Sequence, residues 1–199
     1  LQNDSATENS KFNPTNPYAA TKASAELLVN SYVATYGLDC IITRCTNNFG
    51  PRQFYEKLIP KTIILANQNK KIPIYGTGKN IRDWIYVDDH CDAVYKVLNE
   101  GKTGHSYNIS SNNEINNLTI VKKILELMNK SSDLIEFVDD RPGHDLRYSL
   151  DSSKIRDSLN WSNSINFEDG LENTINWVKT QFNNGNVDQN ILNSTPWKK

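Results

Sequence analysis

At 199 residues, with a formal net charge of −1 and both signs interspersed, the chain is long enough for one sizeable core or two small ones and lacks the basic surface that nucleic-acid binding requires. Three scattered cysteines, Cys40, Cys45 and Cys91, and three histidines form neither a disulfide framework nor a zinc spacing, so no metal is expected and a reducing cytoplasm is the expected setting. No apolar run approaches a membrane span, the first ten residues do not read as a signal peptide, and a chain that opens on Leu1 rather than Met reads as a piece of a longer protein.

Residues 1–16 are polar, and Asn13-Pro14-Thr15-Asn16-Pro17 carries two proline stops, which predicts a surface loop feeding a helix. Asn16 is the expected N-cap, Pro17 the first helical residue, and Gly37 the stop after about Tyr36. Ala19, Ala23, Leu27, Leu28, Tyr32 and Val33 form its expected apolar side. Near its start, Tyr18 and Lys22 are four residues apart and so share a face. A free phenol, with a pKa of about 10, is a poor base at neutral pH, and a neighbouring cation favours the phenolate. The pair is therefore a candidate proton acceptor. The alternative is a solvated helix face with one half-buried tyrosine.

Cys40 to Cys45 reads as a short β-branched strand covered on both faces. A helix followed at once by such a strand is half of a βαβ unit in a parallel sheet, whose ligands bind at the carboxyl ends of the strands. The amide-rich turn Thr46 to Pro51 sits at that end. A helix is expected from Glu56 to Asn69, with Pro60 in its first turn or kinking it. Ile72 to Tyr75 reads as a strand ended by Gly76-Thr77-Gly78, a turn rather than a phosphate cradle because no helix follows. Ile81 to Val87 is the next strand, and Asp88 is expected to cap a helix to about Asn99. Arg82 has two readings, a phosphate partner beside a glycine turn or a surface pair with Asp83. A strand at Ser106 to Ile109, a helix at Leu118 to Lys130 and a strand at Leu134 to Val138 follow. The charged stretch Asp139 to Tyr148 around Pro142-Gly143 reads as a binding loop or a linker. Asp151 or Ser152 is expected to cap a short helix to Leu159, Phe167 to Phe182 is the last long helix, and the Asn-rich tail from 183 is expected to fray.

The spaced set Tyr18-Ala-Ala-Thr-Lys22, Asn47-Asn48-Phe-Gly-Pro51, Glu56-Lys57-Leu58-Ile59-Pro60, Pro73-Ile74-Tyr75-Gly76, Ile81-Arg82-Asp83-Trp84 and Asp140-Arg141-Pro142-Gly143-His144-Asp145 resembles the dTDP-glucose 4,6-dehydratases, which belong to the extended short-chain dehydrogenase/reductases. The resemblance runs from Asn13 to about Phe182. It implies an α/β fold: the C-terminal part of a Rossmann-type doubly wound parallel sheet (1–50 and 80–110) plus a smaller α/β substrate-binding domain (51–79 and 111–182), then a tail. It also implies NAD as cofactor and a nucleotide sugar as substrate, dehydrated to a 4-keto-6-deoxy sugar by internal hydride transfer. By the same resemblance Tyr18 takes the proton from the sugar 4-hydroxyl and Lys22 holds the nicotinamide ribose. Asn47 contacts substrate and Asn48 the cofactor, and Lys57 and Leu58 line the nucleotide side. Pro73, Ile74 and Tyr75 form the base pocket, Arg82 meets the diphosphate, Asn117 touches the nucleotide, and the loop Asp140, Arg141, Pro142, Gly143 and His144 closes over diphosphate and ribose. A homodimer pairing two helices per subunit, the Tyr18 helix among them, is implied as well.

Two of the family's elements, the glycine-rich dinucleotide fingerprint and a Thr-Asp-Glu segment that serves the elimination, do not occur among these residues. The sequence therefore reads as the C-terminal two-thirds of such an enzyme, inactive alone. A UDP-glucose 4,6-dehydratase, a 4-epimerase or a UDP-glucuronate decarboxylase on the same scaffold is the alternative. A non-catalytic nucleotide-sugar-binding module is the reading of another class.

Overall fold

In the computed structural model, whose described residues are 4–188 and 192, the first helix forms between the caps that the sequence supplies. Helix α1 (Pro17–Tyr36) starts at Asn16, whose side-chain oxygen accepts the Ala19 N–H at 2.9 Å, and stops at Gly37, left-handed at φ 64° with its N–H on the Val33 carbonyl. Its expected apolar side is corrected: no residue of α1 is buried, and Leu27, Leu28 and Tyr32 are 58%, 59% and 48% exposed, because no described element covers that stripe. What ties α1 down is polar. Glu26 pairs with Arg44 of strand β1 (Ile42–Cys45), whose Nε lies 3.1 and 3.0 Å from the two carboxylate oxygens, and Arg44 also donates to the Glu8 carbonyl.

Strand β1 is half-exposed rather than covered on both faces, and β2 (Asn47–Phe49) follows it directly, where the sequence suggested only a turn. Helix α2 (Leu58–Asn67) carries Pro60 in its first turn and leads to β3 (Ile72–Tyr75). Strand β4 (Ile81–Tyr86) runs straight into α3 (Val87–Glu100), so Asp88 does not cap that helix. With Asp89 it lies in the first turn, where negative charge suits the helix dipole. Then come β5 (Ser106–Ile109), β6 (Glu114–Asn116), α4 (Asn117–Leu127), β7 (Ile135–Val138), β8 (Arg147–Tyr148), α5 (Ser153–Leu159) and α6 (Phe167–Asn183).

Pairing is mainly parallel, as an α/β fold requires: β1 with β5, β2 with β4, β3 with β7, and β4 with β8. Among the described residues only β6 joins antiparallel, Arg82 opposite Ile115. Strand β4 thus has three partners, and its alternation divides two cores. Trp84 and Tyr86 face Phe49 and the apolar sides of α2, α4 and α6, while Ile85 faces Ala93, Val97, Tyr107 and Ile109. Ile155, Leu159 and Trp161 join that second cluster, so α5 packs with α3 and β5. Most of the expected tail lies outside the described residues. Among the described residues no helix is long and apolar enough to cross a membrane, and no group of three His, Cys, Asp or Glu is placed to hold a metal ion.

Two buried contacts fix this packing. Gly170 of α6 lies so close to the sheet that a Cβ there would stand 2.8 Å from Tyr86 Cδ2 and 3.1 Å from Phe49 Cζ. Asp83, fully buried, accepts the Ser110 and Ser111 hydroxyls at 2.7 and 2.9 Å and the Asn112 and Asn113 N–H groups at 3.1 and 3.3 Å. Gly170→Ala should destabilise the chain by about 1–3 kcal/mol through overpacking. An unchanged urea midpoint would show that α6 can move aside freely. Asp83→Asn replaces an acceptor-only group by one that also donates, and should lose about 1–3 kcal/mol in the same assay. No loss would mean that the 110–113 turn stands without its carboxylate.

Candidate active site

Strands β2 and β4 end beside the first turn of α2, the outer face of β3 and the 139–145 loop, and these surround one cleft of about 1280 Å³ with Tyr18 of α1 at its edge. Asn47 and Asn48 form part of its floor because β2 carries them alongside Trp84 and Ile85 of β4. The Asn48 amide Nδ2 donates to Cys45 Sγ and to the Thr46 carbonyl, both at 3.4 Å, which leaves Oδ1 buried with no protein partner. Gln53 holds this floor by donating to the Asn48 carbonyl at 2.7 Å, and Trp84 Nε1 is a second buried, unpartnered polar atom on the cleft wall. Gly50 lets the chain leave β2 against α3: at φ 145°, its Cβ would lie 2.5 Å from Val87 Cγ1.

One side wall comes from α2 and β3. Lys57 and Leu58 line the cleft, and the strand period turns Pro73 and Tyr75 toward it. The same period places Ile74 on the other face. It points inward, 1% exposed, among Ile72, Val121 and Leu125. The Gly76-Thr77-Gly78 turn serves packing, since a Cβ on Gly76 would stand 2.6 Å from Asp140 Oδ2 and one on Gly78 2.7 Å from Ile74 Cγ2.

The opposite wall is the 139–145 loop, pinned to β4. Arg82 Nη2 donates to the Asp145 carbonyl at 2.8 Å, Asn80 Nδ2 to the same oxygen at 3.1 Å, and the Ile81 N–H to the Leu146 carbonyl at 2.7 Å. Successive residues of a strand face opposite ways, so Arg82 reaches the cleft while Asp83 faces the 110–113 turn. The surface pair between them does not form. Burial pulls the Arg82 pKa down, and the Asp145 charge acts against that. Within the loop, Arg141 Nη2 lies 3.1 Å from His144 Nε2, and His144 Nδ1 lies 2.6 Å from Asp140 Oδ1. A guanidinium only donates, so Nε2 faces a donor and Nδ1 faces the carboxylate acceptor. The His144 hydrogen bond, helped by the Arg141 N–H at 2.8 Å, holds the Asp140 carboxyl below its ordinary range. Asp140 itself does not line the cleft. It orients Arg141 and His144, which do, as do Pro142 and the left-handed Gly143, and the Arg141 guanidinium lies 5.3 Å over the Tyr75 ring. Asn117 joins from the first residue of α4, its N–H on the Asn80 carbonyl at 3.1 Å.

Tyr18 is 74% exposed at the cleft edge, while Lys22 lies outside the lining and its charge reaches Cys45 at the end of β1. Cys45 is half-buried, and burial pushes its thiol up. Tyr148 of β8, which the sequence reading left inside the loop, donates its hydroxyl to the Cys45 carbonyl at 3.2 Å and is near enough to Tyr18 to feel its charge. Burial pushes the Tyr148 phenol up to about 12, so it stays a neutral donor. Lys61, Gln53 and Trp84 are further lining residues not singled out by sequence. For Lys61 a signal existed, four residues beyond Lys57 on the same helix face.

A family profile described as GDP-mannose 4,6 dehydratase matches residues 1–174. The dTDP-glucose 4,6-dehydratase of Neisseria meningitidis serogroup B is 44% identical over 203 residues, covering 96% of this chain and 56% of that protein. Among solved structures, DesIV, a dTDP-glucose 4,6-dehydratase from Streptomyces venezuelae with NAD bound, matches with a TM-score of 0.90 and 40% identity, over 92% of this chain and 57% of that one. The UDP-glucuronic acid 4-epimerase of Bacillus cereus, in complex with UDP-glucuronic acid and NAD, matches with a TM-score of 0.85 and 27% identity, over 89% and 57%. The chain spans about half the length of the curated relatives it matches. Its fold is that of the Rossmann-type dehydratase and epimerase structures. By the profile that covers most of its length, the chain belongs to the GDP-mannose 4,6 dehydratase family, and within it resembles the dTDP-glucose 4,6-dehydratases.

Proposed function

We propose that these residues supply the proton-transfer tyrosine and the nucleotide-sugar grip of an NAD-dependent dehydratase that converts dTDP-glucose to its 4-keto-6-deoxy sugar. The observation that carries the reading is that Tyr18, Asn47, Asn48, Lys57, Arg82 and Arg141, drawn from separate elements along the chain, line one cleft. Tyr18 takes the proton of the sugar 4-hydroxyl, and Lys22, on the same helix face, steadies the phenolate electrostatically and holds the nicotinamide ribose. The buried, unpartnered Oδ1 of Asn48 fits the nicotinamide end of the cofactor, since it would accept a carboxamide N–H. NAD, held by Lys22 and Asn48, would supply the hydride acceptor for C4 and the hydride donor for C6, between which one water would be lost across C5 and C6. Asn47 then serves the sugar from the same strand end.

The nucleotide grip follows from the two walls. Arg82 and Arg141 offer planar, always-charged donors to a diphosphate, and Lys57 adds a point charge. Pro73 and Tyr75 form a flat slot for a pyrimidine ring, and Ile74 between them supports it from the core. Asp140 acts through His144 and Arg141, and Leu58, Asn117, Pro142 and Gly143 complete the walls. The exposed stripe of Leu27, Leu28, Tyr32 and Tyr36 on α1 supports a homodimer formed across that helix. The three free cysteines suit a reducing cytoplasm.

In a protein carrying these residues, Tyr18→Phe should lower kcat on dTDP-glucose by about 10²–10⁴-fold and leave the affinity for dTDP within about twofold. Retention of most turnover would remove the tyrosine from its role. Thymine differs from uracil by one buried methyl group, worth about 1 kcal/mol, so dTDP-glucose should be favoured over UDP-glucose by about fivefold in kcat/KM. Preference for UDP-glucose would reassign the base.

A further inference from the structure

Among the described residues that line the cleft, the buried side-chain polar atoms left without a partner are Asn48 Oδ1, Gln53 Oε1 and Trp84 Nε1. The first two are acceptors. The indole of Trp84 is a donor only. Trp84 is 4% exposed, and a buried N–H without an acceptor costs about 1–3 kcal/mol, so this orphan on the cleft wall calls for an acceptor that arrives with a ligand.

Strand geometry indicates which part of the ligand supplies it. Residues two apart on a strand share a face, so Trp84 follows Arg82 on the cleft side of β4, about 6.5 Å further along. In the parallel pairing with β2, Asn47 lies beside Trp84, whereas Asn48 lies beside Ile85 on the other face. Trp84 thus stands one step beyond the Arg82 guanidinium and level with Asn47. Resting on the nucleotide-sugar reading above, in which Arg82 meets the diphosphate and Asn47 the sugar, we infer that the Trp84 indole N–H donates to an oxygen of the sugar-linked phosphate. An ionised phosphoryl oxygen only accepts, which matches a group that only donates, and the contact fixes the end of the diphosphate from which the sugar extends toward Asn47. The role is one of binding, and no covalent step is involved.

Thymidine monophosphate (dTMP) carries only the nucleoside-linked phosphate and dTDP carries both, so the two nucleotides isolate this contact. The test follows the indole N–H resonances of the protein carrying these residues during titration with each nucleotide and measures both affinities by calorimetry. The Trp84 signal is assigned by its loss in Trp84→Phe or by sequential assignment. Saturating dTDP should move the Trp84 indole proton downfield and saturating dTMP should leave it in place, while Trp84→Phe should weaken dTDP about 10–100-fold and dTMP by less than about twofold. An indole signal unmoved by dTDP, or moved equally by dTMP, overturns the inference. So does unchanged dTDP affinity in Trp84→Phe, or an equal loss for both nucleotides, which would mean that the ring acts through packing. If Trp84→Phe does not fold, the resonance in the unsubstituted protein decides. Failure of the unsubstituted protein to bind dTDP would instead bring down the functional reading itself, and the indole contact with it.

Discussion

A carboxylate with no exposed surface, Asp83, organises the middle of this structure. Burial of an ion is tolerated only where hydrogen bonds replace water, and Asp83 has four: two serine hydroxyls and two backbone N–H groups from the turn at 110–113. That turn leads into β6, which returns antiparallel along β4 and delivers Asn117, the first residue of α4, to the cleft. Because a strand alternates, satisfying Asp83 on one face sends Arg82 to the other. The cleft-lining Arg82 and the buried carboxylate are consequences of one geometry.

The two sides of the cleft differ in how they are held. The β3 side rests on buried packing: β3 inserts Ile72 and Ile74 into an apolar cluster, and the 139–145 loop is fastened to β4 by Asn80, Arg82 and a backbone hydrogen bond. The Tyr18 side rides on a helix that buries nothing and is tied chiefly by the Glu26 to Arg44 pair and its neighbours. Arg44 is only 19% exposed and is held by two carboxylate contacts, a geometry in which an ion pair is worth more than on an open surface. Its pKa is raised, first by the Glu26 hydrogen bond, so the tie persists at every pH where Glu26 is ionised. Placement of the phenol relative to the rest of the cleft therefore depends on this pair and on the Asn16 cap more than on hydrophobic contact.

Much of this was legible in the residues. Asn16, Pro17 and Gly37 announce α1 by local chemistry that does not depend on the rest of the chain, and α6 and β3 are long or regular enough for their periods to show. Strands β2, β6 and β8 were not legible, since two or three residues carry no period and their pairing is set by distant partners on β4. The outward turn of Leu27 and Leu28 was hidden for a related reason: a pattern identifies an apolar face but not whether a partner covers it. At the site, the spaced motifs contain Tyr18, Asn47, Lys57, Arg82 and Arg141 but not Gln53, Lys61 or Trp177, which also line the cleft, and the inward side chain of Ile74, the two hydrogen bonds of His144 and the donor role of Tyr148 required the third dimension.

A crystal structure of the protein with dTDP bound tests the central claim most directly. The account predicts the diphosphate oxygens within hydrogen-bond distance of the Arg82 and Arg141 guanidiniums, the base ring against Pro73 and Tyr75, and the open end of the nucleotide directed toward Tyr18. A diphosphate seated away from both arginines, or a base lying outside the β3 wall, would contradict it.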